Sequence, residues 1–262
     1  MKIATFNINN INKRMPVLLR WLRQAGPDVV CLQELKCEQH NFPADELKEA
    51  GFFSAWVGQR SWNGVAILAK RRRPEVTRTA LPGDLADTQS RYLEAAVEGV
   101  LIGCIYLPNG NPQPGPKFDY KLAWFKRLIK HAQSLKRAGV PVVLAGDFNV
   151  VPTEFDIYEK HSYGNDALLQ PESRIAFARL LKQGWTDALR ALYPEERFFT
   201  YWSYLRNRWP RNAGLRLDHL LLTPDLAQRL TGGGVDRSVR DFENASDHAP
   251  AWIVLQDKSR RG

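Results

Sequence analysis

The stretch Val143-Leu-Ala-Gly-Asp147-Phe-Asn149-Val-Val-Pro152 decides how this chain is read. Val142 to Ala145 form an apolar run that reads as a buried strand, and the run ends at Gly146 with a carboxylate and an amide two positions apart. Side chains alternate along extended chain, so Asp147 and Asn149 point to one side at the strand's mouth. Taken alone, a Gly-Asp after a strand is equally a turn or a helix cap. Working outward, the same pattern returns. Ile3-Ala-Thr-Phe-Asn7-Ile-Asn9 is an apolar strand finishing in amides, and Asp28-Val-Val-Cys-Leu-Gln-Glu34 finishes in a carboxylate. Leu215-Arg-Leu-Asp218-His-Leu-Leu-Leu222 carries an acid inside a hydrophobic run, and Ser246-Asp247-His248 precedes a strand at 251–255. Strand ends that each supply Asp, Asn, Glu or His point to a catalytic site.

With 262 residues, 44% hydrophobic and 25% charged, the chain can bury a full core. No Ser/Gly/Pro-rich linker divides it, so we expect one domain over 1–256 and a short basic tail over 257–262. The 37 Lys and Arg against 28 Asp and Glu leave a formal charge of +9, which favours a polyanionic partner: nucleic acid or an anionic membrane surface. Charge alone does not choose between them. Cys31, Cys37 and Cys104 are too few and too irregular for a disulfide framework or a zinc site, and suggest a reduced cytosolic protein. Met1-Lys-Ile-Ala leads straight into a strand, and no run approaches the roughly 18 apolar residues of a membrane span. The expectation is a cytoplasmic enzyme with no membrane anchor, acting as a monomer.

Strand patterns at 2–7, 28–33, 52–57, 63–69, 91–98, 100–107, 141–146, 216–222, 235–241 and 250–256 alternate with helical patterns at 13–25, 43–50, 117–138, 172–182 and 223–230. In the longest helix, Phe118, Leu122, Phe125, Leu128, Ile129 and Leu135 recur at helical spacing and should face a sheet, with its Lys and Arg residues outward. Ala95 to Leu107, broken at Glu98-Gly99, reads as a hairpin. The Lys70-Arg-Arg-Arg73 run reads as a solvated turn rather than a DNA contact. The irregular stretches 108–116, 158–171 and 203–214 suit binding loops. This alternation implies an α/β (α+β) fold of two packed mixed sheets with helices outside.

At this point the chain resembles the endonuclease/exonuclease/phosphatase superfamily, and within it the exonuclease III and apurinic/apyrimidinic endonuclease group. The resemblance runs in order through Asn7, Gln33-Glu34, Tyr106-Leu-Pro-Asn109, Gly146-Asp147-Phe-Asn149, Phe199-Thr-Tyr-Trp-Ser-Tyr204, Leu217-Asp218 and Ser246-Asp247-His248. It implies a four-layer sandwich and hydrolysis of phosphodiesters in double-stranded DNA, 5′ to abasic sites and at 3′ ends. It also implies Mg²⁺, with Mn²⁺ as a substitute. A hard cation of this kind takes oxygen ligands and often only one or two carboxylates, which suits Glu34 supported by Asn7, with Asp247 as a further contributor. The bland reading of Glu34 is a surface acid that ends a strand.

Asp147 would hold the attacking water and Asn149 would donate to the phosphate. By the resemblance His248 would meet the scissile phosphate, with Asp218 fixing its tautomer and favouring its protonated form. His40, His131, His161 and His219 lack comparable contexts and default to surface or core. Tyr106 resembles the family's phosphate-contacting phenol; its alternative is a buried tyrosine anchored by its hydroxyl. Arg91, Asn109 and Asn165 are carried over as outer phosphate contacts. In Phe198-Phe-Thr-Tyr-Trp-Ser-Tyr-Leu-Arg-Asn-Arg-Trp-Pro-Arg211, aromatic rings alternate with guanidinium groups, a composition suited to a nucleic-acid surface that includes Arg206 and Arg211. By resemblance Tyr201, Trp202, Leu215 and Leu217 would wall a pocket for a base-free sugar. Two features depart from the family: Asn9-Asn10 stand where many members carry Asp or Gly, and Leu215 is aliphatic where animal members use an aromatic ring. The rival readings are another phosphodiesterase of the superfamily, or a catalytically silent nucleic-acid-binding module.

Overall fold

The computed structural model describes residues 1–159 and 164–256, so His161 and the expected tail over 257–262 lie outside it. In chain order the strands are β1 (Lys2–Asn7), β2 (Val29–Gln33), β3 (Phe53–Val57), β4 (Val65–Ala69), β5 (Glu75–Arg78) and β6 (Tyr92–Val97). They continue with β7 (Val100–Tyr106), β8 (Val142–Asp147), β9 (Thr186–Asp187), β10 (Asp218–Leu222), β11 (Leu230–Val235) and β12 (Ala251–Leu255). The α-helices are α1 (Met15–Ala25), α2 (Ala44–Glu49), α3 (Pro116–Arg137), α4 (Pro171–Leu181), α5 (Ala188–Leu192) and α6 (Pro224–Ala227).

The layers follow from how strand residues alternate. In β1, Ile3, Thr5 and Asn7 face one way and Ala4 and Phe6 the other, yet all are buried, so the strand needs cover on both faces. Ile3 joins Cys31, Ile67, Ile102, Val143 and Leu220 in a core between two six-stranded sheets. Ala4 and Phe6 pack instead under Val17, Leu18 and Trp21 of α1. On the far side, Leu144 and Ile105 meet Trp124, Phe125 and Leu128 of α3 and Phe177 of α4. The result is helix, sheet, sheet, helix, as expected.

The sheets run in the orders β11-β12-β1-β2-β4-β3 and β5-β6-β7-β8-β10-β9. Each holds a central parallel pair, β1 with β2 and β7 with β8, flanked by antiparallel partners. The carboxyl ends of both parallel pairs therefore open at the same end of the sandwich, where Asn7, Gln33, Tyr106 and Asp147 end their strands.

Some elements differ from expectation. The strand awaited at 235–241 begins earlier, as β11, and 237–241 is a 3-10 turn, while the helix awaited at 223–230 stops at Ala227. Thr231-Gly-Gly-Gly234 carries no apolar signal, but those glycines let the backbone approach closely: a Cβ on Gly233 would meet Leu189 Cδ2 at 2.8 Å and the Trp252 carbonyl at 2.9 Å. β5, exposed along its whole length, and the two-residue β9 were not expected either, since neither alternates. The hairpin at Glu98-Gly99 is present, both residues having positive φ as its tight turn requires. The Arg71–Arg73 run is exposed, with Arg71 near Asp28 and Glu98, and follows the β4 end remote from the strand mouths.

A buried ion network braces the strand that leads to Asp218. Arg216, 1% exposed, pairs with Asp156 at 2.6 Å and Asp187 at 2.8 Å, and Arg190 reaches Asp156 at 2.7 Å. Burial opposes ionisation of both acids, yet the Arg216 guanidinium overrides it and holds their carboxyls below the usual range. Depressed folded values stabilise the fold above the unfolded carboxylate value of about 4, and this contribution is lost as pH falls through the folded values. We expect Arg216→Met to lower unfolding free energy at neutral pH by about 3 kcal/mol, because it takes the guanidinium from the buried Asp187 carboxylate and leaves Asp156 with Arg190 alone. The gap from wild type should narrow in acid. Urea titrations at both pH values check this, and coincident midpoints at neutral pH would reject the bracing role.

Candidate active site

Between the sheets, the face of β1 and β2 that is apolar at Ile3, Val29 and Cys31 turns polar toward the strand mouths. Thr5 Oγ1 donates to Gln33 Oε1 at 3.2 Å, and Gln33 Nε2 reaches Cys104 Sγ at 3.3 Å. One step further out, Asn7 Nδ2 donates both to Glu34 Oε1 at 2.9 Å and to Asp147 Oδ2 at 3.0 Å. A fully buried amide thus ties the two candidate carboxylates together across the two sheets. Tyr106, on the same face as Cys104, donates its hydroxyl to Glu34 Oε1 at 2.9 Å. Burial first, and then the Glu34 charge, push its phenol well above its ordinary pKa, so it stays protonated.

Asp147 and Asp218 lie opposite each other on β8 and β10. Asp218 Oδ2 is 2.7 Å from His248 Nδ1, and His248 Nε2 lies 3.8 Å from Asp147 Oδ2, so the imidazole stands between two buried acids. Burial works against its charged form, but Asp218 and then Asp147 prevail and raise the pKa. Burial likewise raises the Asp147 pKa, with Asp218 and Glu34 adding to it and His248 opposing. The Asn149 backbone N–H donates to Asp147 Oδ1 at 2.8 Å, and Asn149 itself takes a left-handed conformation, φ +46°. Glu34 shares that feature, φ +53°. Two polar residues held in a costly backbone region at converging strand ends are the kind of strain that a site retains.

Among the described residues no group of three or more His, Cys, Asp or Glu forms a metal-binding cluster, and the oxygen donors that could contribute to holding a cation here are those of Glu34, Asn7 and Asp247. Lys36, which sequence reading missed, pairs with Glu34 Oε2 at 2.8 Å and donates to Asn9 Oδ1 at 2.7 Å. Asn9 in turn donates to Asp247 Oδ1 at 2.8 Å, so Asp247 is linked to Glu34 through Asn9 and Lys36. The only available signal was a lysine two positions after Glu34.

Asn109 joins the cluster by donating to Asn149 Oδ1 at 3.2 Å, and Arg91 lies over the Tyr106 ring at 4.7 Å. Beside them opens a cavity of about 330 Å³ lined by Trp62, Asn63, Gln89, Arg91, Tyr106 and Asn109 among others. The Tyr201 ring sits 5.0 Å from His248. Arg206 and Arg211 are exposed on the 203–212 loop, and Asn165 is exposed, its carbonyl accepting from Gln113. The structure does not bring these three into the catalytic cluster.

Trp202 corrects an expectation. It is 0% exposed, packs edge-on against Trp209 and donates to Asn212 Oδ1 at 3.1 Å, so its indole anchors the loop instead of offering a face to a ligand. Leu215 and Leu217 are also covered, by Val151, Ile157 and Leu168, and stand behind Tyr201. Large apolar side chains next to a site were read as its wall, but here they are its foundation. His131 and His219 are buried structural residues and His40 is exposed.

Comparisons with known proteins give the family. Residues 4–248 match the Endonuclease/Exonuclease/phosphatase family. Exodeoxyribonuclease III of Haemophilus influenzae is 31% identical over 98% of this chain and 100% of its own length. The structure of a 3′-5′ exonuclease from Neisseria meningitidis superposes with a TM-score of 0.94 at 37% identity, covering 98% of this chain and 100% of that one. An AP endonuclease from Archaeoglobus fulgidus gives 0.93 at 32% identity, with 98% and 100% covered. The two parallel strand pairs, the acids and amides gathered at their ends and this match along nearly the whole length have one explanation: the chain belongs to the endonuclease/exonuclease/phosphatase family.

Proposed function

We propose that the chain is a divalent-metal-dependent DNA repair nuclease that hydrolyses phosphodiesters 5′ to abasic sites and at the 3′ ends of duplex DNA, leaving a 3′ hydroxyl. The observation that carries this reading is the Asp147–His248–Asp218 array joined to Glu34 through Asn7. Asp147, fixed by Asn7 and the Asn149 backbone, orients the attacking water and accepts its proton as the new P–O bond forms. His248, kept protonated by Asp218, presents positive charge to the phosphoryl oxygens, and Asn109 and Asn149 add amide contacts. Tyr106 keeps its proton and so can donate to the leaving 3′ oxygen as the old P–O bond breaks.

In this reading Glu34 and Asn7, with Asp247 as a further contributor, would hold Mg²⁺, or Mn²⁺ in its place, and the bound ion would supply Lewis-acid charge to the phosphate. A reduced cytosolic setting belongs to the same proposal, supported by Cys31, Cys37 and Cys104, all buried and unpaired. No described helix is long and apolar enough to cross a membrane.

The test is incubation with Mg²⁺ and three substrates: a duplex with one abasic analogue, a duplex with a blocked 3′ end, and a small phosphodiester. Cleavage of the small ester alone would sink the DNA reading in favour of another phosphodiesterase. Affinity for the abasic duplex should fall steeply with added salt, since each neutralised phosphate releases counterions. Arg206→Ala and Arg211→Ala should each flatten that salt slope by about one unit. Anisotropy at several salt concentrations reads it, and unchanged slopes would remove these arginines from the DNA surface.

A further inference from the structure

α3 was expected to turn its basic residues outward, and one of them does the opposite. Lys121 is 0% exposed. Its Nζ donates to two backbone carbonyls, that of Asn109 at 3.0 Å and that of Asn149 at 2.5 Å, and among the described residues it forms no salt bridge to a carboxylate. Burial pushes the ammonium down to about 7, against the pull of Asp147 and Asp166 in the other direction. An unpaired buried cation is costly, and helix α3 has ample apolar packing without it. Its two acceptors belong to the residues whose side-chain amides meet at the catalytic cluster, Asn109 Nδ2 to Asn149 Oδ1. The loop is shaped around its stem as well. At Gly110, φ +89°, a Cβ would lie 2.7 Å from Lys121 Cδ and 3.1 Å from the Ala167 Cβ.

We propose that Lys121 is a positioning residue for the hydrolytic reaction, clamping the loops after β7 and β8 by their carbonyls so that the Asn109 and Asn149 side chains, joined Nδ2 to Oδ1, are held at the phosphate site as a fixed pair. The inference rests on the phosphodiesterase reading above and gives that reading a part not visible among the phosphate-facing side chains. The loops come from different strands, and apart from the lysine they are tied by two contacts of the Asn149 side chain: it accepts from Asn109 Nδ2 at 3.2 Å and donates to the Leu107 carbonyl at 2.8 Å. An ammonium suits the task because it donates in several directions from a single point. A neutral side chain of the same length fills the space without holding either carbonyl.

The test is a double-mutant cycle between Lys121→Met and Asn109→Ala, with kcat and KM measured separately. If Lys121 acts through the amide pair, Lys121→Met lowers kcat by about 10-fold or more and changes KM by less than about 3-fold, and in the Asn109→Ala background its further effect shrinks below about 2-fold. Equal losses in both backgrounds, an unchanged kcat, or a change confined to KM would each overturn the clamp. Lys121→Gln, which still donates to one carbonyl, supplies the same readout if the Met variant does not fold. The cycle is run on whichever phosphodiester the wild type cleaves, so failure of the DNA reading and failure of the clamp give different results.

Discussion

Asp147→Asn is expected to lower turnover by about 10²-fold or more while DNA affinity stays close to wild type, the signature of a group that acts in the transition state. The replacement is nearly isosteric, and the Asn149 backbone N–H can still donate to a side-chain oxygen at this position. What disappears is the base. The Asn7 amide, which now donates to Asp147 Oδ2, would face a neutral amide that accepts less strongly, and His248 would lose one of the two acids that keep it protonated. His248→Ala should show a loss of similar size, because it removes the positive charge at the phosphate. Both residues serve one step, so the double variant should lose much less than the product of the single losses. Single-turnover rates with anisotropy on the same abasic duplex decide this. Equal loss of affinity and rate in Asp147→Asn would assign it a ground-state or folding role.

How far the sequence could be read depended on periodicity. β1, β2, β7 and β8 were legible because strands buried on both faces are near-continuous apolar runs, and their polar ends pointed to the site. Asp147, Asn149, Glu34, Tyr106 and His248 each break such a run or follow it, so they stood out, and the structure gathers them. β11 was not legible, since its glycines give no pattern, and only the fold shows Gly233 lying close against Trp252 and Leu189. Lys121 and Arg216 were hidden for a different reason. A charged residue in an amphipathic helix or beside a strand reads as solvated, and only the tertiary fold reveals that carbonyls or carboxylates surround it. Trp202 failed in the opposite sense: composition suggested a binding face, and packing used the ring as core.

Glu34→Ala is expected to raise the Mg²⁺ concentration needed for half-maximal activity by about 10–100-fold, with partial recovery of rate at high Mg²⁺. Glu34 also accepts from Tyr106 and Asn7 and pairs with Lys36, so lost activity by itself would not separate an ion ligand from an orienting group. Glu34→Gln separates them. An amide oxygen can still accept from the Tyr106 hydroxyl and the Asn7 amide, but the charge that attracts a cation is gone. If Glu34 is the ligand, Gln should behave like Ala and need more Mg²⁺; if it only orients Tyr106, Gln should restore rate with an unchanged Mg²⁺ requirement. Lys36 sharpens the contrast, because its ammonium sits 2.8 Å from the same carboxylate and competes with any divalent ion for that charge. Lys36→Met in the otherwise intact chain should therefore tighten Mg²⁺ binding, the opposite sign to both Glu34 variants. Rates across a Mg²⁺ titration, paired with calorimetric binding of the ion to the free enzyme, read both effects. A Mg²⁺ dependence that stays flat through Glu34→Ala, Glu34→Gln and Lys36→Met would remove the ion from this carboxylate.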